Sequence, residues 1–218
     1  MEKADVIALI PRCLAGEDEA REALVLAVQN RVYYHCKKML RNEEDALDAT
    51  QEVLISMLTK LDTLKEPGAF WGWLSAMTAN YCRNALRRGG REMEIPGAGG
   101  APGLSGVPVE AQRLCVLMYY YDEMGVKDIA AALETSEGTV KSRLNYARKA
   151  IKEGVDRYAA QGIKLYSLSP LPFLAYLLKE DALLGGLTAA QSASCAQAAL
   201  AGSSAVLAGT GATAAAGA

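Results

Sequence analysis

Apolar residues recur every three or four positions along two stretches of this chain, and the rhythm fails between and after them. In the first stretch Ala46, Ala49, Val53, Met57 and Leu61 repeat at helical intervals, as do Phe70, Trp73, Leu74, Met77 and Tyr81. Asn42 followed by Glu43, Glu44 and Asp45 supplies a cap and an acidic first turn for the helix that begins there. Lys65-Glu66-Pro67-Gly68 breaks the pattern and predicts a loop between two helices. In the second stretch Leu114, Cys115, Met118 and Tyr119 share one side of a helix, and Gly125 is expected to mark its end. Asp128 to Leu133 predict a short helix, Glu134-Thr135 a tight turn, and Ser136 the cap of a longer helix running to about Lys152. Along that helix Val140, Leu144, Ala147 and Ile151 form one face, and Lys141, Asn145, Arg148 and Lys152 another.

These patterns divide the chain into four segments. Residues 1–91 and 109–160 are helical blocks, and residues 92–108 (EMEIPGAGGAPGLSGVP) read as a flexible linker. Residues 161–218 form an apolar, Ala/Gly-rich extension with no charge after Asp181. Strand-type alternation is scarce, and Ala, Leu, Glu, Lys and Arg dominate the long stretches. The expected fold is all-α: two small helical domains joined by a flexible linker, with a low-complexity C-terminal tail. Within that tail, residues 182–218 are long enough to cross a bilayer, which takes ~20 apolar residues. Gly, Ser, Thr and Gln191 dilute the stretch, however, so disorder or a loosely formed helix is expected ahead of membrane association.

Composition narrows the chemistry. The formal charge of −2 over 218 residues does not mark a nucleic-acid binder, so local basic runs must carry any such role. The five cysteines are scattered without a CxxC pair, and charged residues follow Met1 directly; both suit a reducing cytoplasm. His35, the single histidine, has no second ligand pair at metal spacing and is expected to be structural. Neither a Ser/His/Asp set nor a phosphate-cradling glycine loop is present. No catalytic residue, metal or cofactor is therefore expected, and the chain does not read as an enzyme.

Two basic runs remain. Ser136, Gly138, Thr139, Lys141, Ser142 and Arg143 give a helix start of small and polar residues flanked by cations, as a helix in the major groove requires. The alternative is a solvated cationic face, and the short helix and turn before it favour DNA. Arg83, Arg87, Arg88 and Arg91 follow the aromatic cluster Phe70, Trp71, Trp73 and Tyr81, a combination suited to stacking on single-stranded bases while holding phosphates. Phe70 and Trp73 are expected in the core, with Trp71 out of phase and more exposed. Asp48, Gln51 and Glu52 cluster on one helix face, which by itself reads as solvated.

Residues 31–88, with the runs DALDATQEV and WLSAMTANYCRNALRR, resemble the second conserved region of extracytoplasmic-function sigma factors of the sigma-70 family. Residues 111–153, with GTVKSRLNYARKAI, resemble their fourth region. The resemblance implies an alternative sigma factor that binds core RNA polymerase and directs it to promoter DNA, duplex and melted. Asp48, Gln51 and Glu52 match the motif that docks on the polymerase clamp helices. The Leu64–Phe70 loop, with Phe70 and Trp71, matches the segment that captures a flipped base of the minus-ten element. Asn80, Arg83, Asn84, Arg87 and Arg88 match the helix that follows that strand. Ser136, Gly138, Thr139, Lys141, Ser142, Arg143, Asn145 and Arg148 match the reader of the minus-thirty-five element. An anti-sigma factor is left open as a further partner, and membrane contact through the tail as an alternative. Two departures stand out: Asn84 replaces a common Asp, and the linker runs directly into Val109-Glu110, without the first helix that usually opens the fourth region. The competing readings are a helix-turn-helix regulator acting without polymerase and a membrane-associated signalling adaptor.

Overall fold

Capping side chains and turn-forming backbone set the limits of each helix. The computed structural model describes residues 2–40, 42–88, 109–160 and 170–215, and every regular element among them is helical. The expected linker at 92–108 lies outside the described residues, as does any helix that would precede Val109. Backbone contacts divide the chain into two units, Met1–Ala85 with Gly185–Ala218, and Leu86–Leu184.

In the first unit, α1 (Lys3–Leu14), α2 (Asp18–Leu40), α3 (Glu43–Thr59) and the first turns of α4 (Phe70–Arg88) surround one core. Ile10, Leu24, Val28, Val53, Leu54, Met57, Phe70 and Leu74 are its buried apolar residues. A fully buried side chain of this size contributes about 1.5–3 kcal/mol. Asn42 caps α3 as expected, its Oδ1 accepting from the Glu44 amide at 3.2 Å. Gly16, at φ +88°, ends α1 in a left-handed turn in which the Glu17 amide donates to the Arg12 carbonyl at 3.2 Å and that of Gly16 to Cys13 at 3.1 Å. Pro67 opens a single 3-10 turn, Pro67–Ala69, in the predicted loop.

The buried face of α4 differs from the predicted stripe. Phe70 and Leu74 are buried, but their companions are Ser75, Thr78, Ala79 and Cys82, while Trp73, Met77 and Tyr81 are only half-buried. Small residues face α2 because the helices meet closely there, with the Cys82 and Cys36 sulfurs 3.8 Å apart. The Thr78 hydroxyl can be buried since it donates to the Leu74 carbonyl at 2.8 Å.

In the second unit, α5 (Val109–Val116) runs into a π turn (Leu117–Tyr121), followed by α6 (Val126–Ala132) and α7 (Glu137–Ala160). Leu114, Met118, Ile129, Val140 and Leu144 form the core. Gly125 was expected to end the first of these helices. Instead the chain turns at Glu123, whose φ is +61°, and Gly125 is the extended residue that opens α6.

The tail departs furthest from expectation. Residues Pro170–Leu184 form α8, which packs on the π turn of the second unit, with Lys179 and Glu123 paired at 2.6 Å. Residues Ala189–Ala215 form α9, which packs on α2 and α3 of the first unit. Disorder or a loosely formed helix was expected for residues 182–218; of these, 182–184 end α8 and 189–215 form α9. Alanine is the strongest helix former, and a helix of Ala, Gly and Ser can approach its neighbours closely enough to fill a groove. No helix among the described residues is long and apolar enough to cross a membrane.

Candidate functional site

The second unit builds a helix-turn-helix. In the turn after α6, Glu134 adopts φ +49°, the Thr135 amide donates to the Ala130 carbonyl at 2.9 Å, and that of Glu134 to Ala131 at 3.3 Å. This double closure satisfies carbonyls that the helix end leaves open. One residue later Ser136 caps α7, its Oγ accepting from the Thr139 amide at 3.1 Å and lying 2.9 Å from the Thr139 hydroxyl. Val140 and Leu144 anchor the inner face of α7, which fixes the rotation of the whole helix.

That rotation sorts the predicted DNA-reading residues. Ser136, Gly138, Lys141, Ser142 and Asn145 face solvent, and Thr139 is half-buried. Lys141 leans back toward Glu137 at 3.5 Å, an exposed pair of little energetic weight. Arg143 and Arg148 do not share the exposed strip. Arg143 is half-buried with its Nε enclosed, and its guanidinium lies against Cys115. Burial pushes the Cys115 thiol up, and Arg143 opposes that shift by hydrogen bonding and charge. Arg148 donates from Nε to the Tyr120 hydroxyl at 2.9 Å and stacks over Tyr119 and Tyr120, with centroid distances of 5.7 and 6.0 Å. Arg143 thus lies between α7 and α5, and Arg148 between α7 and the π turn.

Lys149 was missed in the sequence. It is exposed and sits four residues beyond Asn145 and seven beyond Ser142, which places it on the same strip. Its spacing from Ser142 carries this placement, whereas the face led by Lys141 does not include it. Between Ser136 and Glu153 there are five cations, Lys141, Arg143, Arg148, Lys149 and Lys152, against two carboxylates. The near-neutral total charge therefore conceals a cationic segment beside the positive end of a helix dipole.

In the first unit, Asp48 and Glu52 on α3 are exposed, and Gln51 is half-buried under α9. Burial pushes the Cys195 thiol of α9 up, opposed by a hydrogen bond from Gln51. On α4, Asn84 and Arg88 are exposed, while Arg83 donates to the Asn80 side chain. The Arg87 side chain lies outside the described residues. Trp71 is half-buried, with the Arg31 guanidinium 4.7 Å from its ring centroid. Phe70, expected to meet the minus-ten strand, is 0% exposed and packs edge-on to Trp71 at 5.4 Å. Its phase on α4 turns it inward, while residues 65–69 before it are exposed. Among the described residues no group of three or more His, Cys, Asp or Glu could hold a metal ion.

The family models match both halves of this arrangement: "Sigma-70 region 2" covers residues 24–92, and "Sigma-70, region 4" covers residues 110–151, taking in α6, the turn and α7 as far as Ile151. The chain belongs to the sigma-70 family, extracytoplasmic-function type. Among similar sigma factors, the "ECF RNA polymerase sigma factor SigE" of Mycolicibacterium smegmatis is 27% identical over 164 residues, 64% of this chain and 63% of that protein. A "Probable RNA polymerase sigma factor RfaY" of Xanthomonas campestris is 25% identical over 66% of this chain and 42% of its own length. The "ECF RNA polymerase sigma-E factor" of Escherichia coli is 26% identical over 67% of this chain and 92% of its own. The chain thus spans less than two thirds of the first two sigma factors and nearly all of the third. The α3 and α4 residues fall within region 2, and Ser136 to Lys149 within region 4.

Proposed function

We propose that this chain is an alternative sigma factor that binds core RNA polymerase, carries it to promoter DNA and starts transcription by binding and not by catalysis. The observation that carries this reading is the exposed strip Gly138, Lys141, Ser142, Asn145 and Lys149. It lies on the second helix of a helix-turn-helix inside a region 4 match, with a region 2 match upstream in the same chain. Residues 1–91 serve polymerase docking and minus-ten recognition, 92–108 link, and 109–160 read the minus-thirty-five element. Asp48, Gln51 and Glu52 dock on polymerase. Trp71 and the 65–69 loop line the minus-ten strand, with Asn80, Arg83, Asn84, Arg87 and Arg88 along the path that follows. Extruding a base from that strand costs a few kcal/mol, on the order of what one stacking contact and a fitted pocket return. The chain acts in the cytoplasm, where polymerase and promoter are.

The test is run-off transcription from a cognate promoter by core polymerase supplemented with the full chain. Transcripts should require the chain and should fall at least about tenfold for Gln51→Ala/Glu52→Ala, roughly the loss of one charge-assisted contact. A chain that bound promoter duplex yet neither joined polymerase nor supported initiation would overturn the proposal.

A further inference from the structure

The contact between α9 and α3 places part of the tail on the surface assigned to polymerase. Down one side of α3, Glu43, Gln51 and Ile55 all meet α9. The Gln191 side-chain amide donates to Glu43 Oε1 at 3.0 Å, Gln51 lies beside Cys195, and Gly202 abuts Ile55. A Cβ on Gly202 would stand 2.7 Å from Ile55 Cδ1, so the helices are as close there as side chains allow. Cys195, Ala196, Ala199 and Ser203 are buried, at 1%, 6%, 0% and 2% exposure. The other flank of α9 and the turn that leads into it are held by α2. Gln29 donates to the Ser192 hydroxyl at 2.5 Å, Asn30 accepts from the Leu187 amide at 3.1 Å, and Lys37 reaches the Gly185 carbonyl at 3.3 Å.

A second helix cannot occupy the same groove, because packed helices need axes 8–10 Å apart. Asp48 and Glu52 stay exposed at the border of α9, but Gln51, which lies between them on the same face, is covered. We propose that α9 is an autoinhibitory segment: docked on α3 it blocks the polymerase-binding face, and the factor engages polymerase when α9 lifts away. This inference rests on the assignment of Asp48, Gln51 and Glu52 to docking. The seam suits reversible release. It contains small residues and a few hydrogen bonds, two of them with an ionised partner at Glu43 and Lys37, so it is specific in shape without a large apolar area to hold it shut. If the closed state holds about nine tenths of the population, the apparent affinity for polymerase is about tenfold weaker than that of the open chain.

The experiment uses the full-length chain and purified core RNA polymerase in an equilibrium binding titration. Two kinds of variant bracket the equilibrium. Ala199→Glu/Gly202→Glu drives charge and bulk into the seam and should tighten binding by up to about tenfold. Ile55→Cys/Gly202→Cys places two sulfurs where the helices touch, and the oxidised form should bind at least tenfold more weakly than the same protein after reduction. Circular dichroism and thermal unfolding establish that region 2 stays folded in each case. An oxidised chain that bound as tightly as its reduced form would overturn autoinhibition. The docking assignment would survive that result provided Gln51→Ala/Glu52→Ala still abolished binding. If neither the reduced nor the wedged chain bound polymerase at all, both the inference and the docking assignment would fall.

Discussion

Two adjacent cations on α7, Arg148 and Lys149, have opposite surroundings, and the difference can be measured. Arg148 is bound to the Tyr120 hydroxyl and stacked on two tyrosine rings, whereas Lys149 is exposed on the strip that includes Asn145 and Ser142. Lys149→Ala should therefore remove one phosphate contact. Each such contact contributes about 0.9 to the slope of log K against log salt, and extrapolation from 1 M to 0.1 M makes this roughly an eightfold loss of affinity. That corresponds to about 1.2 kcal/mol. Arg148→Ala should leave the slope unchanged. It should instead destabilise the second unit by about 1–3 kcal/mol, the sum of a charge-assisted hydrogen bond and partly screened cation–π contacts. The assay is fluorescence anisotropy of promoter-complex formation by the reconstituted holoenzyme between 50 and 300 mM salt, on the order of the range over which counterion release dominates, with thermal unfolding of each free chain. A reduced slope for Arg148→Ala with unaltered stability, or no slope change for Lys149→Ala, would refute this division of labour.

The turn before α7 and the buried thiols give two further predictions. Glu134→Gly should raise the stability of the second unit by about 0.5–1 kcal/mol, because Glu134 holds the left-handed position that Gly16 fills at the end of α1. Urea unfolding measures it, and an unchanged or lower midpoint would show that the side chain makes a compensating contact. Cys13, Cys115 and Cys195 are raised above the ordinary thiol value of 9.0 by burial, and Cys82 well above it by its hydrogen bond with Cys36 and then by burial. The folded state keeps these protons more tightly than the unfolded chain, so the resulting stability is complete below the unfolded thiol value and is lost as pH rises through the folded values. Under reducing conditions the urea midpoint should hold steady from about pH 6 to 8 and fall above about pH 9, with a shallower fall in Cys82→Ala/Cys115→Ala. Equal declines in both proteins would count against the thiols as the cause.

Residue spacing and turn chemistry were enough to locate the helix-turn-helix, because its information is local. Ser136 caps α7 through an amide three residues away, and Val140 and Leu144 set its phase within one turn. The same holds for the Asn42 cap and the Pro67 turn. The surroundings of Arg143, Arg148 and Phe70 were not legible, since each depends on what another element brings beside it: Cys115, Tyr120 and the region 2 core. Sequence alone assigned α7 a cationic face but could not say which cations the packing of α5 would withdraw from it.

By itself, then, the sequence determined an all-helical chain with two sigma-like regions in order, because periodicity, caps and motifs act over a few residues. Tertiary structure alone decided the position of α9. Its alanines and glycines carry almost no amphipathic signal, and nothing within residues 189–215 names a partner. What seats this helix is the groove between α2 and α3, where Gln29 and Asn30 find their hydrogen-bond partners more than 140 residues away in the chain. Shape complementarity between small residues and a long-range groove is a property of two surfaces together, and a linear pattern records only one of them.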